Sequence, residues 1–244
     1  MTGANAGALT SITLSANNIT LHQNLAIPNN PTTLNFANNT LQVPTGATLT
    51  LTTAQASGAA IAGEGTVVLT NPGDNLTADL NNINVSEVRL AVGAPLNVTA
   101  ATLAQTVTFD VTGLGNLTLT AGQASDRSIT NAGQVTITGL GSDEVDLDRI
   151  TGTGTATAGL SSPSVTLAGD TNLGNVAVTL ASQSLTLSAT QASGKNITGT
   201  GAVTVTGLTA NTNLLRLADT LAVRGTVTTP LLKQVIFSHL VITL

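Results

Sequence analysis

The sequence predicts an all-β protein, a parallel β-solenoid of about 20–28 residues per coil with a 68-residue superrepeat of three coils. Three observations carry this. LTLTTAQASGAAIAGEGTVVLTN at 49–71 recurs as LTLTAGQASDRSITNAGQVTITG at 117–139 and as LTLSATQASGKNITGTGAVTVTG at 185–207. Gln55, Gln123 and Gln191 stand 68 residues apart, as do Leu49, Leu117 and Leu185. Between the copies, apolar-x-apolar pairs recur at Val145/Leu147 and Val165/Leu167, and each pair reads as a short strand with one face inward.

Turn chemistry separates the solenoid from a sandwich of hairpins. Tight hairpins favour Asn-Gly or Asp-Gly. The chain has 24 Gly but contains neither dipeptide. Trp and Tyr are both absent, so the aromatic landmarks of immunoglobulin-like sandwiches cannot form. A solenoid needs none of these, because like side chains stack on like from coil to coil.

Residues 1–48 carry the beat less regularly, through Ile12/Leu14, Ile19/Leu21 and Leu34/Phe36, and hold Pro28, Pro31 and Pro44. This stretch reads as an N-terminal set of irregular, capping coils continuous with the repeats of 49–244. Within the repeats, the QAS segment reads as extra length in one coil of each three. The tips that follow it differ: GAA at 58–60, DRS at 126–128 and GKN at 194–196. Such variation is expected of an exposed turn against which nothing packs. VIFSHLVITL at 235–244 is strongly apolar and reads equally as an edge suited to a second copy or as a tract from which a longer chain continues.

Composition removes several function classes. Only 8% of residues are charged and the net charge is −5, so Thr, Ser and Asn must solvate the surface. Arg89, Arg127, Arg149, Lys195, Arg216, Arg224 and Lys233 are scattered, which argues against nucleic acid as a partner. Cysteine is absent, which excludes disulfides and thiolate chemistry. No basic start precedes an apolar run in MTGANAGALTSITLS, so no secretory signal is read there, and no apolar run is long enough to span a bilayer as a helix.

Candidate chemistry is sparse. Asp143, Glu144, Asp146 and Asp148 gather four carboxylates in GSDEVDLD, a hard-oxygen cluster that could take calcium; the competing reading is a solvated turn. The glycine-rich calcium nonapeptide is absent, and Arg149 offers a neutralising neighbour. His22 and His239 lie near opposite ends of the chain, and no G-x-S-x-G elbow or phosphate loop is present, so no catalytic or cofactor residue is assigned and an enzyme is not expected. Thr118/Thr120, Thr136/Thr138, Thr151/Thr153/Thr155/Thr157 and Thr204/Thr206 could build a hydroxyl grid for ice or glycan, although Asp146 and Ala177 interrupt the pattern. Asn-x-Ser/Thr triplets at Asn18, Asn38, Asn75, Asn84, Asn97, Asn116 and Asn196 are frequent in so Asn- and Thr-rich a chain, and composition alone accounts for them.

The low-charge, Thr/Ala/Gly/Asn-rich strand repeats of 49–244 resemble bacterial cell-surface β-strand-repeat proteins: S-layer proteins, repeat adhesins and filamentous-haemagglutinin-like passengers. The resemblance implies an exported, extracellular structural protein whose partner is itself, in a lattice, a fibre or an adhesive stalk. A cell-surface glycan is a further partner it allows. The alternative function is a non-catalytic ligand-binding solenoid for ice or glycan.

Overall fold

The computed structural model describes residues 18–20, 25–27, 39–70, 72–209, 211–218, 220–227 and 241–243. Most of the expected cap, both histidines and most of the 235–244 tract lie outside them. The chain is an all-β parallel solenoid, as the repeats predict, and has about 9 coils. It forms two compact units, one of residues 1–117 and 127–133, the other of 118–126 and 134–244.

In the first unit the main sheet runs through strands Leu25–Ala26, Thr48–Thr52, Thr66–Thr70, Glu87–Val92, Val107–Val111 and Ile129–Asn131, every registered pair parallel. Alternation places Leu49, Val67, Val88 and Val107 in one inward column and Leu51, Leu69, Leu90, Phe109 and Ile129 in the next. All are at most 2% exposed. Full burial of a side chain of this kind contributes about 1.5–3 kcal/mol, so each column is a continuous source of stability. Phe109 is the only phenylalanine among the described residues, and branched aliphatics fill the remaining volume.

The second unit has two such sheets. One contains Gln134–Leu140, Thr155–Leu160, Ala177–Leu180 and Ile197–Gly199. The other contains Ser164–Thr166, Ser184–Ser188, Ala202–Leu208, Ala222–Val227 and Val241–Thr243. Registered partners lie from 17 residues apart, at Arg224 and Val241, to 26 apart, at the bridge between Asp146 and Asn172.

Thr is abundant for a physical reason. Outward hydroxyls donate to main-chain carbonyls of the coil beneath: Thr70 to Leu51 O at 3.1 Å and Thr108 to Val88 O at 3.1 Å in the first unit, Thr138 to Leu119 O at 3.3 Å and Thr206 to Leu187 O at 3.4 Å in the second. A carbonyl has two lone pairs, and the ladder N–H uses one. The hydroxyl satisfies the other while the methyl group covers the strand.

Candidate functional site: the repeated corner turn and the hydroxyl faces

Each copy places the same small machine at a corner. The first two residues of QAS and the two before them form a four-residue helical turn: α1 (Thr53–Ala56), α2 (Ala121–Ala124) and α3 (Ala189–Ala192). The N-cap hydroxyls of Thr52, Thr120 and Ser188 accept from the N–H of Gln55, Gln123 and Gln191 at 3.1, 3.2 and 3.2 Å. Each glutamine Oε1 accepts in return from the N-cap N–H, at 2.8, 2.9 and 2.9 Å. This reciprocal capping box is written as S/T-x-x-Q in all three copies. The QAS segment is therefore a capped turn, not additional strand.

The serine of QAS then docks the turn onto a later coil. Ser57, Ser125 and Ser193 Oγ accept from the N–H of Asp79, Asp146 and Asn213 at 3.0, 3.0 and 3.1 Å. The next residue, Gly58, Asp126 or Gly194, donates its N–H to the carbonyl of that same partner at 2.8 Å in every copy. Asp79, Asp146 and Asn213 are themselves held in Asx turns, their Oδ1 accepting from the N–H two residues on. In the second unit the chain passes from Ser125 to Asp146, is bridged to Asn172, and reaches the next turn where Gln191 Nε2 donates to Thr171 O at 3.3 Å. Three coils thus separate one QAS turn from the next, as the 68-residue period requires.

The tips correct an expectation. They are not turns against which nothing packs. The first tip position is left-handed, with φ of 71° at Gly58, 55° at Asp126 and 71° at Gly194, and Asp126 is the only described non-glycine with positive φ. That geometry aims the second position inward. Ala59 is 7% exposed and Arg127 only 2%. Arg127 donates to Ala104 O at 2.9 Å and Val107 O at 2.6 Å, and Lys195 donates to Gly174 O. Burial pulls the Arg127 guanidinium down to about 10, still a cation at neutral pH.

The acidic cluster is dispersed. Asp143, Glu144 and Asp148 are exposed, while Asp146 is half-buried with Oδ1 occupied by the Asp148 N–H at 3.1 Å. Arg149 donates to Asp126 O at 3.3 Å. Among the described residues no group of three or more acidic or histidine side chains is placed to hold a metal ion. Asn213 performs the docking role of Asp146 without a charge.

The hydroxyl rows are arranged differently from their order in the chain. Thr136, Thr157 and Ala177 share a column, so Ala177 does interrupt it, whereas Asp146 lies at the docking corner rather than on that sheet. Thr151 and Thr153 are separated by a bend from the strand that holds Thr155 and Thr157. The cleaner face is on the second unit's other sheet, where Thr166, Thr186 and Thr204 align and Ser188 pairs with Thr206, before Arg224 takes the next place. On the first unit's main sheet, Glu87, Arg89 and Asp110 stand among Thr108, Ser128 and Thr130 around a shallow groove, with Arg89 and Glu87 paired at 2.8 Å. No helix among the described residues is long and apolar enough to cross a membrane.

No protein-family model, curated protein or solved structure matches the chain.

Proposed function

We propose that this chain is a non-catalytic structural repeat protein of the bacterial cell exterior, a spacer or self-assembling building block of a surface layer, filament or adhesive stalk. The observation that supports it is the parallel stacking itself. Within each unit the described coils bond their neighbours by ladder hydrogen bonds, supplemented by outward hydroxyls and by docked turns at the QAS copies, so stiffness is distributed along the winding rather than concentrated in one core. Low charge, hydroxyl-rich faces and the absence of cysteine suit an exported scaffold. Parallel stacks also offer unpaired N–H and C=O groups at their terminal coils, which supports end-to-end addition of copies. Negative-stain microscopy of the purified chain over a concentration series tests the reading: filaments or sheets are expected, and particles that stay single at every concentration would remove self-assembly.

One observation favours a second reading, a solenoid that binds ice or glycan. It is the aligned Thr166, Thr186 and Thr204 column beside Ser188 and Thr206. Thermal hysteresis, or retention on a glycan array by a monodisperse sample, would support this reading over the scaffold.

A further inference from the structure

We propose that Asn97 is an acceptor for an N-linked sugar. The inference rests on side-chain geometry at one triplet, Asn97-Val98-Thr99, and not on the number of such triplets. Asn97 closes strand Pro95–Asn97, and its Oδ1 accepts two hydrogen bonds from its own downstream threonine: the Thr99 N–H at 3.0 Å and the Thr99 hydroxyl at 2.8 Å. Both lone pairs of the amide oxygen are occupied, while Nδ2 has no hydrogen-bond partner among the described residues. Charge drawn onto Oδ1 makes an Nδ2 proton easier to lose, which is the requirement for an amide nitrogen to act as a nucleophile.

The site is also presented firmly. Asn97 N–H donates to Asp74 O at 2.8 Å and Leu76 N–H donates to Asn97 O at 2.8 Å. Val98 is fully buried beneath the turn, and the following turn is closed by Ala101 N–H to Val98 O at 2.9 Å. Asn97 is half-buried, and Thr99 and Ala100 are exposed. A transferase would meet a fixed acceptor whose hydroxyl is already bonded to the amide.

Other Asx turns show that the fold does not require this arrangement. At Asp79, Asn131, Asp146, Asn172 and Asn213 the donor two residues on is the N–H of Asn81, Gly133, Asp148, Gly174 and Leu215, none of which carries a hydroxyl. Nor do the other triplets whose side chains are described share it. Asn84 lies in a strand, Asn116 Oδ1 is buried without a partner, and neither Asn75 nor Asn196 bonds its own threonine hydroxyl. Asn97 is where an Asx turn and a glycosylation triplet coincide.

In the transfer, Nδ2 attacks the anomeric carbon of a sugar carried on a nucleoside diphosphate. The nitrogen–carbon bond forms, and the carbon–oxygen bond to phosphate breaks with its electron pair left on the departing diphosphate. One amide proton passes to a base of the transferase.

The test uses the full folded chain, a soluble transferase specific for Asn-x-Ser/Thr, and UDP-glucose, under conditions first established on the urea-denatured chain. Peptide mass spectrometry should find Asn97 hexosylated severalfold more than Asn75 or Asn196 in the folded chain. The preference should persist in Thr99→Ser and collapse on denaturation. A folded chain bare at Asn97, or one modified equally at Asn75, Asn97 and Asn196, overturns the proposal. Neither outcome bears on self-assembly, which microscopy reads separately.

Discussion

Replacing Gly133 with alanine should destabilise the fold far more than a surface methyl group ordinarily does. The position recurs as Gly65, Gly133 and Gly201, each 68 residues from the next. A Cβ on Gly133 would lie 2.3 Å from Thr112 O and 2.4 Å from Gly115 O; on Gly201 it would lie 2.1 Å from Gln183 O, and on Gly65 2.6 Å from Ala47 O. Ordinary contact begins near 3.4 Å. The main chain would have to retreat by about 1 Å, and the obstructing atoms are main-chain carbonyls with no rotamer to change. Overpacking typically costs about 1–3 kcal/mol, and a rigid main-chain obstacle places this case at the upper end. Reduced freedom of the unfolded chain offsets about 0.4–1 kcal/mol, leaving a net loss of about 2 kcal/mol. For a chain of this length that corresponds to a fall in Tm of about 4–8 °C. Gly122 is the internal control: it lies in α2, a built Cβ meets nothing within 4 Å, and the other copies carry Ala54 and Thr190 there. Gly122→Ala should raise stability by about 0.5–1 kcal/mol. Thermal and urea unfolding, followed by circular dichroism with m compared across variants, measures both. Equal stability of Gly133→Ala and the unaltered chain, or equal loss in the two variants, would refute the close-approach reasoning.

Three further outcomes are expected. Asp126→Gly should stabilise by up to about 1 kcal/mol in urea unfolding, because glycine removes the cost of a left-handed aspartate and already occupies the position in the other copies. Arg127→Met should cost about 1–3 kcal/mol, since Ala104 O and Val107 O lose a buried donor. Arg127 is lowered only to about 10 and stays charged in both folded and unfolded states below that, so this difference should be flat from neutral pH to roughly pH 9. Above pH 10 the folded state releases its proton first, the desolvation cost is relieved and the native chain gains stability; a slope near neutral pH would contradict the assignment. Phe109→Ala should cost about 3–5 kcal/mol, because Leu90 and Ile129 flank it in register and cannot both close the cavity; a loss below about 1 kcal/mol would contradict that packing.

The winding was legible because repetition states it directly. Leu49 and Leu51 announce an inward face, and the absence of hairpin dipeptides points to the parallel neighbours that the structure shows. The corner was less legible. S/T-x-x-Q is a helix-start signal, but here it starts a single turn, and no apolar run of helical period follows to advertise it. GAA, DRS and GKN share only the leading glycine of two of them, and their difference reads as exposure. What the site requires is conformational: a residue that tolerates positive φ, then one that fills or bonds the corner. Ala59 and Arg127 both satisfy the second condition. The hydroxyl columns could not be assigned from Thr-x-Thr pairs alone, because neighbours on a face come from consecutive coils rather than from consecutive copies.

The docking of Ser57, Ser125 and Ser193 has a consequence for descent. Each serine grips main-chain atoms of its partner, a feature that every residue type except proline supplies in full. Selection on that joint therefore places almost no demand on which amino acids the receiving lap contains. Aspartate at two of the joints and asparagine at the third differ in charge and share only the Oδ1 that closes the Asx turn. A lineage built this way can exchange most of its letters while its winding persists, and kinship is better sought in the spacing of its turns than in the identity of its residues.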